Sequence, residues 1–279
     1  MLKGGLQEER MSLLKYVFFL PIALFGLDRV PWFCTIWEFA FTPTYTYSRY
    51  PKVQHGVPHL QNPSNDQLLS LNLDVSPATN WQLATEVEFA DTPRQAMGLR
   101  SIAFQARYLL LDDILGDPVS LTTGLVVRGV SEHSLKDVSC PYHSDINFEI
   151  NTAIGREWDH GFEWKVRVFG GASAGMANRG FPWMTGFAMI EGQVHQTNRI
   201  GLFLDAAAGF GGRRDVFINH FHGYADIGHR NLDIGVKYTY VFDIWGHFSV
   251  SYARRIYARS FPEQVNFFTV SYMLPFSLF

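Results

Sequence analysis

The sequence has no cluster of basic residues, and its 23 Lys and Arg residues are outnumbered by 26 Asp and Glu residues, which gives a formal net charge of −3. Proteins that bind nucleic acid neutralise its phosphates with clustered Lys and Arg side chains, so nucleic acid is not expected as a partner. The sequence also lacks any segment with a 3.6-residue apolar period over several turns, which argues against a helical fold.

Long apolar runs are scarce as well. The apolar run at residues 16–26 follows Lys15 and is too short for a membrane-spanning helix, which needs about 20 apolar residues. Its length and position are typical of a signal peptide, and Met11 offers a second start site. We therefore interpret residues 1–26 as leader and signal peptide, and residues 27–34 as a short periplasmic lead-in. An uncleaved anchor and a buried segment of a soluble fold are the alternatives.

Aromatic residues, in contrast, are abundant: the chain has 24 Phe, 12 Tyr and 7 Trp, or 15% of all residues. A soluble core rarely needs so many, whereas the lipid-facing bands and interfacial girdles of membrane barrels do. Five of these residues lie near the ends of predicted strands, where such a girdle is expected: Trp81, Trp164, Trp183, Tyr240 and Trp245.

Apolar and polar residues alternate along most of the chain. In one clear example, Leu69, Leu71 and Leu73 alternate with polar residues such as Ser70 and Asn72, which is the two-residue period of a strand with unlike faces. About twelve such segments lie between residues 35 and 279. The connections that join them alternate between short and long. This pattern predicts an all-β fold, an antiparallel up-and-down transmembrane β-barrel with both chain ends on the periplasmic, short-turn side. A secreted soluble β-sandwich or lipocalin-like barrel is the alternative.

The last stretch, residues 265–279, carries a family resemblance. Phe268, Val270, Tyr272 and Leu274 share one face, and the chain stops on an aromatic residue. A closing strand of this kind resembles those of Gram-negative outer-membrane β-barrels, although no specific family within this class is matched. The resemblance implies an outer-membrane location, contact with outer-membrane lipid, and recognition of the last strand by the barrel-assembly machinery.

Two local expectations follow for the closing strand. It should pair with the strand that begins near Thr35 and so close the barrel. Phe279 is out of phase with the apolar face of this stretch, and Pro275 cannot donate a ladder hydrogen bond, so a bulge at Pro275 is predicted.

The inward face of such a barrel is the polar one. The charged residues predicted to line the lumen are Glu86, Glu88, Arg107, Arg128, Glu149, Glu163, Lys165, Arg167, Asp205, Asp233, Lys237 and Arg255. A barrel of about twelve strands is wide enough for a narrow aqueous path, but opposite charges can equally pair across the lumen and plug it. Their mixed signs predict no strong preference for anions or cations.

Histidines offer the other candidate sites. His220 and His222 alternate and could share a metal with His229 or Asp226, since His is a common metal ligand; a solvated His-rich loop is the alternative. His143 and Ser144 are adjacent, but no third residue that would orient the histidine is identifiable, so no catalytic residue is assigned. No cofactor is expected.

The sequence therefore predicts a porin-like small-solute channel or a surface structural protein of the outer membrane. The alternatives are a barrel enzyme acting on outer-leaflet lipid, of the phospholipase or lipid A deacylase type, and an adhesin that acts through its loops.

Overall fold

A computed structural model describes residues 27, 29–59 and 61–277 of the chain. The predicted leader and signal peptide and the terminal Phe279 lie outside the described residues. Within these, twelve antiparallel strands close a barrel. They are, in chain order, β1 (Glu38–Tyr50), β2 (Ser64–Ala78), β3 (Trp81–Thr92), β4 (Gln95–Leu111), β5 (Ser120–Val130), β6 (Ile146–Asp159), β7 (Trp164–Ala177), β8 (Trp183–Val194), β9 (Asn198–Gly209), β10 (Arg230–Val241), β11 (His247–Arg259) and β12 (Asn266–Ser277).

Each strand pairs with its neighbours in sequence, and β12 pairs with β1 from Glu38↔Ser277 to Arg49↔Asn266. The predicted fold class is confirmed. The predicted bulge at Pro275 is wrong: Pro275 keeps the same register opposite Ala40. Its missing N–H is tolerated because Pro275 lies beyond the last β11–β12 pair, His247↔Met273.

Apolar side chains face outward and polar ones face inward. On β10, Ile234 and Val236 are 46% and 49% exposed, whereas Asp233 and Lys237 are 7% and 4% exposed. A soluble barrel would show the opposite arrangement, because it buries its apolar face in its interior. The alternation therefore defines a transmembrane barrel.

The two ends of the barrel differ. At the short-turn end, strands are joined by residues 79–80, 112–119, 160–163, 195–197 and 242–246. At the long-loop end, the connections are mostly longer and include residues 51–63, 131–145 and 210–229. The described chain enters and leaves the barrel at the short-turn end.

The long loops pack over the mouth of the barrel. Residues 52–53 pair with 262–263, and residues 56–57 pair with 216–217. A short helix, α1 (Glu132–Leu135), is capped by the Ser131 side chain, which accepts a hydrogen bond from the Ser134 amide. A buried cluster that includes Tyr50, Tyr224 and Phe261 lies beneath these loops. No helix in the described part of the chain is long and apolar enough to cross a membrane.

Candidate functional site: a lumen divided in two

The short-turn half of the lumen contains a segment of the chain itself. Residues 29–34, here named the N-terminal plug, run inside the barrel before β1 begins, although the sequence suggested a periplasmic lead-in for residues 27–34. Val30, Trp32 and Phe33 are 3%, 4% and 8% exposed. Val30 and Trp32 pack in a buried cluster with inward side chains that include Phe169, whose ring meets the Trp32 ring edge-on at 5.5 Å.

Polar contacts also bind the plug to the wall. Arg29 forms an ion pair with Asp205 at 3.0 Å. The Trp32 indole N–H donates to Asp113 Oδ1 at 2.8 Å, and the Arg107 guanidinium donates to the carbonyl oxygen of Val30. Three different parts of the barrel therefore hold the plug.

The wall leaves room for the plug at Gly155 of β6. A Cβ at Gly155 would lie 2.7 Å from Pro31 Cγ and 3.0 Å from the Trp32 ring, distances that real Cβ atoms rarely show. This position therefore requires glycine because both the plug and Phe169 of β7, whose Cβ would lie 2.7 Å away, pass so close to it.

Ion pairs fill much of what remains of the short-turn half. Glu157 binds Arg167 at 2.6 Å and Lys165 at 2.8 Å, and Glu191 binds Arg199 at 3.2 Å. The Arg167 guanidinium lies 5.0 Å from the Trp32 ring centroid, so the network contacts the plug directly. Glu157, Glu191 and Arg199 were absent from the predicted lining.

The long-loop half contains a cavity of about 350 Å³. On one side, Arg128 lies between Glu86 and Glu88, at 2.5 Å and 3.3 Å. The Tyr142 ring lies 4.6 Å from the same guanidinium, and its hydroxyl donates to Glu88 at 2.5 Å. On β10 and β11, Asp233 and Arg255 form a two-bonded pair at 2.7 Å and 2.9 Å.

Small side chains form the other side of the cavity. Ser173 on β7, Thr185 on β8 and Ala207 on β9 face inward and line it. Glu149 also lines it and accepts a hydrogen bond from the Ser173 hydroxyl at 3.1 Å. The cavity exists because these strands present little side-chain volume to the lumen.

Two histidines from separate long loops form part of the cavity's lining near the loops. The His143 ring stacks on Trp183 at 3.8 Å, and the His229 ring lies 5.1 Å from His143. Burial, with a smaller contribution from His229, lowers the pKa of His143 to about 2. Burial also lowers the pKa of His229 to about 4. Both imidazoles are therefore neutral near pH 7.

Trp183 faces into the barrel, contrary to the girdle predicted for it: it is 4% exposed, whereas Trp81, Trp164 and Trp245 are 44%, 44% and 68% exposed. Trp183 shares the inward phase of β8 with Glu191, and its partner on β7 is Gly175, where a Cβ would overlap the indole. A glycine opposite the tryptophan gives the ring space on the inner side.

The structure places most of the predicted lining residues on the inner face. It joins Glu86 and Glu88 to Arg128, Asp233 to Arg255, Lys165 to Arg167 through Glu157, and Asp205 to the plug. Arg107 binds Gln82 at 3.0 Å, and Lys237 is buried. Glu163 does not line the lumen: β7 begins one residue later, so Glu163 lies in an exposed turn 3.8 Å from His160.

The histidines proposed as metal ligands are not brought together. His220 and His222 are exposed on the loop, whereas His229 is buried beneath it against Phe261. Among the described residues, no group of three or more His, Cys, Asp or Glu side chains has a metal-binding arrangement. His143 and Ser144 are both buried, and the Ser144 amide donates to the Asn147 side chain.

Twelve strands with an apolar outer face and a charged lumen define a transmembrane β-barrel of the outer-membrane class, as the sequence predicts. No family model matches the chain, and no curated protein matches it in sequence.

Among solved structures, the chain is similar to an outer membrane channel from Pseudomonas putida F1, with 11% identity and a TM-score of 0.62 over 87% of this chain and 96% of that chain. It is also similar to the NanC porin, with 8% identity and a TM-score of 0.53 over 84% of this chain and 98% of that chain. At these identities the similarity establishes the fold of the barrel.

Proposed function

We propose that the protein is an outer-membrane channel for small polar solutes, and that the N-terminal plug closes it. The observation that carries this proposal is the cavity of about 350 Å³, which lies in the lumen between the long loops and the plug. A barrel that served only as a scaffold would gain stability by filling this space, because packed interiors contain few voids larger than a water molecule. The two similar solved structures are described as a channel and a porin, which supports the same function.

The charges of the cavity predict the kind of solute. Five arginines and five acids line it: Arg29, Arg100, Arg107, Arg128 and Arg255, and Asp66, Glu88, Glu149, Asp205 and Asp233. Because the two signs balance and several of these groups pair with each other, the cavity favours neutral or zwitterionic solutes over ions of one sign.

Transport through this path requires the plug to move. Arg29 is 42% exposed in its side chain, so its ion pair with Asp205 contributes little to holding the plug in place. Burial of Trp32 stabilises the closed position more strongly, because an indole removes up to about 250 Å² from water. Trp32 is therefore the residue whose loss should open the channel.

The test is conductance in planar bilayers of folded wild-type protein and of a Trp32→Ala variant. We expect low conductance or rare openings for the wild type and larger, more frequent openings for Trp32→Ala. Trp37→Ala is the matched control, because Trp37 lies just after the plug and is 52% exposed. The proposal fails if neither wild type nor Trp32→Ala conducts, or if Trp37→Ala opens the channel as much as Trp32→Ala.

Recognition by the barrel-assembly machinery through β12 belongs to the same proposal. It is supported by the position of β12 as the last strand of the barrel and by its pairing with β1, which closes the sheet.

A further inference from the structure

The outer surface of the barrel is apolar over most of its height, but a polar row crosses it near the long-loop end. The strand registers place Arg49 of β1 beside Asn65 of β2 on one side and Asn266 of β12 on the other. Asn266 in turn lies beside Arg254 of β11. Arg49 and Arg254 are both exposed, and Asn266 lies between them on the same outward face.

An aromatic row lies one step closer to the barrel centre. Tyr47, Phe268 and Tyr252 are neighbours on β1, β12 and β11, and they are 38%, 48% and 45% exposed. The Tyr47 hydroxyl donates to Asn65 at 3.2 Å, and the Tyr252 hydroxyl donates to Asn266 at 2.7 Å. Aromatic rings with hydrogen-bonded hydroxyls mark the boundary between hydrocarbon and headgroups in membrane proteins. Arg49 and Arg254 therefore lie at the depth of the lipid headgroups.

Two further arginines lie four to five residues farther along β10 and β11, toward the long loops. Arg230 of β10 and Arg259 of β11 lie directly opposite each other, and like charges in that position destabilise a sheet. Among the described residues, none of the four arginines has an ion-pair or hydrogen-bond partner. Asp91 on β3 also faces outward, but β2 lies between it and Arg49 on β1. The four guanidinium groups therefore form no ion pair with the described part of the protein.

The turns at the opposite end of the barrel are acidic. The turns of the short-turn end contain no lysine or arginine, and their acids are Asp112, Asp113, Asp117, Glu163 and Asp243. An anionic lipid headgroup would be repelled there and attracted at the long-loop end.

We propose that the outward face around Arg49 and Arg254, here named the arginine rim, binds the phosphorylated headgroup of a membrane lipid. Arg49 and Arg254 are two strands apart, or about 10 Å, which suits a headgroup that carries more than one phosphate. Guanidinium groups bind phosphate oxygens through paired hydrogen bonds. The acyl chains of the lipid would lie along Tyr47, Phe268 and Tyr252.

The test measures binding of diphosphorylated lipid A to folded protein in a neutral detergent, by native mass spectrometry and by titration. The Arg49→Gln/Arg254→Gln variant should bind it about tenfold more weakly or worse, because two charge-assisted contacts are lost. Arg156→Gln is the matched control: Arg156 is also exposed on a strand, near the short-turn end, with its guanidinium 5.4 Å from the Trp158 ring. Heat-modifiable gel migration confirms that each variant is folded.

Three results would overturn the proposal. The first is equal binding by the wild type and the double variant. The second is an equal loss in Arg156→Gln. The third is displacement of lipid A by millimolar inorganic phosphate, which would make the rim a site for free phosphate. Weaker binding of monophosphorylated lipid A than of the diphosphorylated form would support the proposed spacing of the arginines.

Discussion

The two halves of the lumen are built from the same twelve strands, yet one is closed and the other contains a cavity. In the short-turn half, the bulky Phe169 side chain and the Arg167 guanidinium meet the N-terminal plug, and Arg199 pairs with Glu191. In the long-loop half, the same strands, β7 to β9, present the smaller Ser173, Thr185 and Ala207 to the lumen. Strand number sets the diameter of a barrel, but side-chain volume and an inserted segment decide whether the lumen is open.

The charged groups also have different roles in the two halves. Near the plug, Glu157 and Glu191 pair with bases on the adjacent strand, and one of these bases, Arg167, lies against the Trp32 ring. Around the cavity, Arg128 of β5 pairs with Glu86 and Glu88 of β3. Of these three residues, Arg128 and Glu88 line the cavity. Ion pairs thus contact the plug in one half and form part of the cavity wall in the other.

The largest effect is expected at this wall. Arg128→Met leaves Glu86 and Glu88 buried without their cation, so unfolding in detergent should become easier by about 3–5 kcal/mol. Denaturant titration of the purified barrel measures the change. The triple variant Glu86→Gln/Glu88→Gln/Arg128→Met removes all three charges and should recover much of the loss. A triple variant no more stable than Arg128→Met would show that the wall does not depend on this charge balance.

The next effect concerns the plug. Gly155→Ala places a methyl group against Pro31 and Trp32, and overpacking of this kind costs about 1–3 kcal/mol. We expect the plug to be displaced more often, so that the buried thiol of Cys34 at the end of the plug reacts with a maleimide about ten to a hundred times faster. The faster labelling reflects more frequent displacement of the plug, because the reactivity of the exposed Cys34 thiol itself does not change.

Gly192→Ala is the control for that experiment, because a Cβ at Gly192 of β8 meets no atom within 4 Å. Cys140 is replaced by alanine in every protein that is compared, so that labelling reports on Cys34 alone. Equal labelling rates in Gly155→Ala and the wild type would mean that the plug is held by contacts other than its fit against β6.

The alternation of the sequence predicts the strands, their closure and the inward charges, because a two-residue period gives both the strand and its two faces. The plug could not be predicted in this way. Residues 29–34 have no period, and only the closed barrel shows what Trp32 and Phe33 bury against. Glu191 was missed for a related reason: β8 is rich in Gly and Ala, so its register was ambiguous. Arg199 was missed because residues 197–199 were predicted as a turn, whereas β9 begins at Asn198. The inward direction of the Trp183 side chain could not be predicted either, because the sequence does not show that Gly175 lies opposite it.

The smallest effect is expected from the histidines near the long loops. His229 has a pKa of about 4 in the folded barrel because it is buried, although its Nδ1–H donates to the Ile227 carbonyl oxygen at 3.1 Å. Its ordinary pKa is about 6.5, so the unfolded or opened loop binds more protons between these values. Stability of the closed loops is therefore fully present above about pH 6.5 and falls as the pH decreases toward 4.

Each histidine takes up one proton, so each can change the opening equilibrium of the loops by at most about tenfold per pH unit. Hydrogen exchange of residues 210–229 at pH 7 and pH 5 measures the opening, after correction for the intrinsic exchange rate. A His229→Phe variant should lose the pH dependence that His229 contributes, whereas His222→Gln should keep it, because His222 is exposed on the same loop. If all three proteins respond to pH alike, the closed loops depend on another group, and the nearest buried candidate is His143 at 5.1 Å.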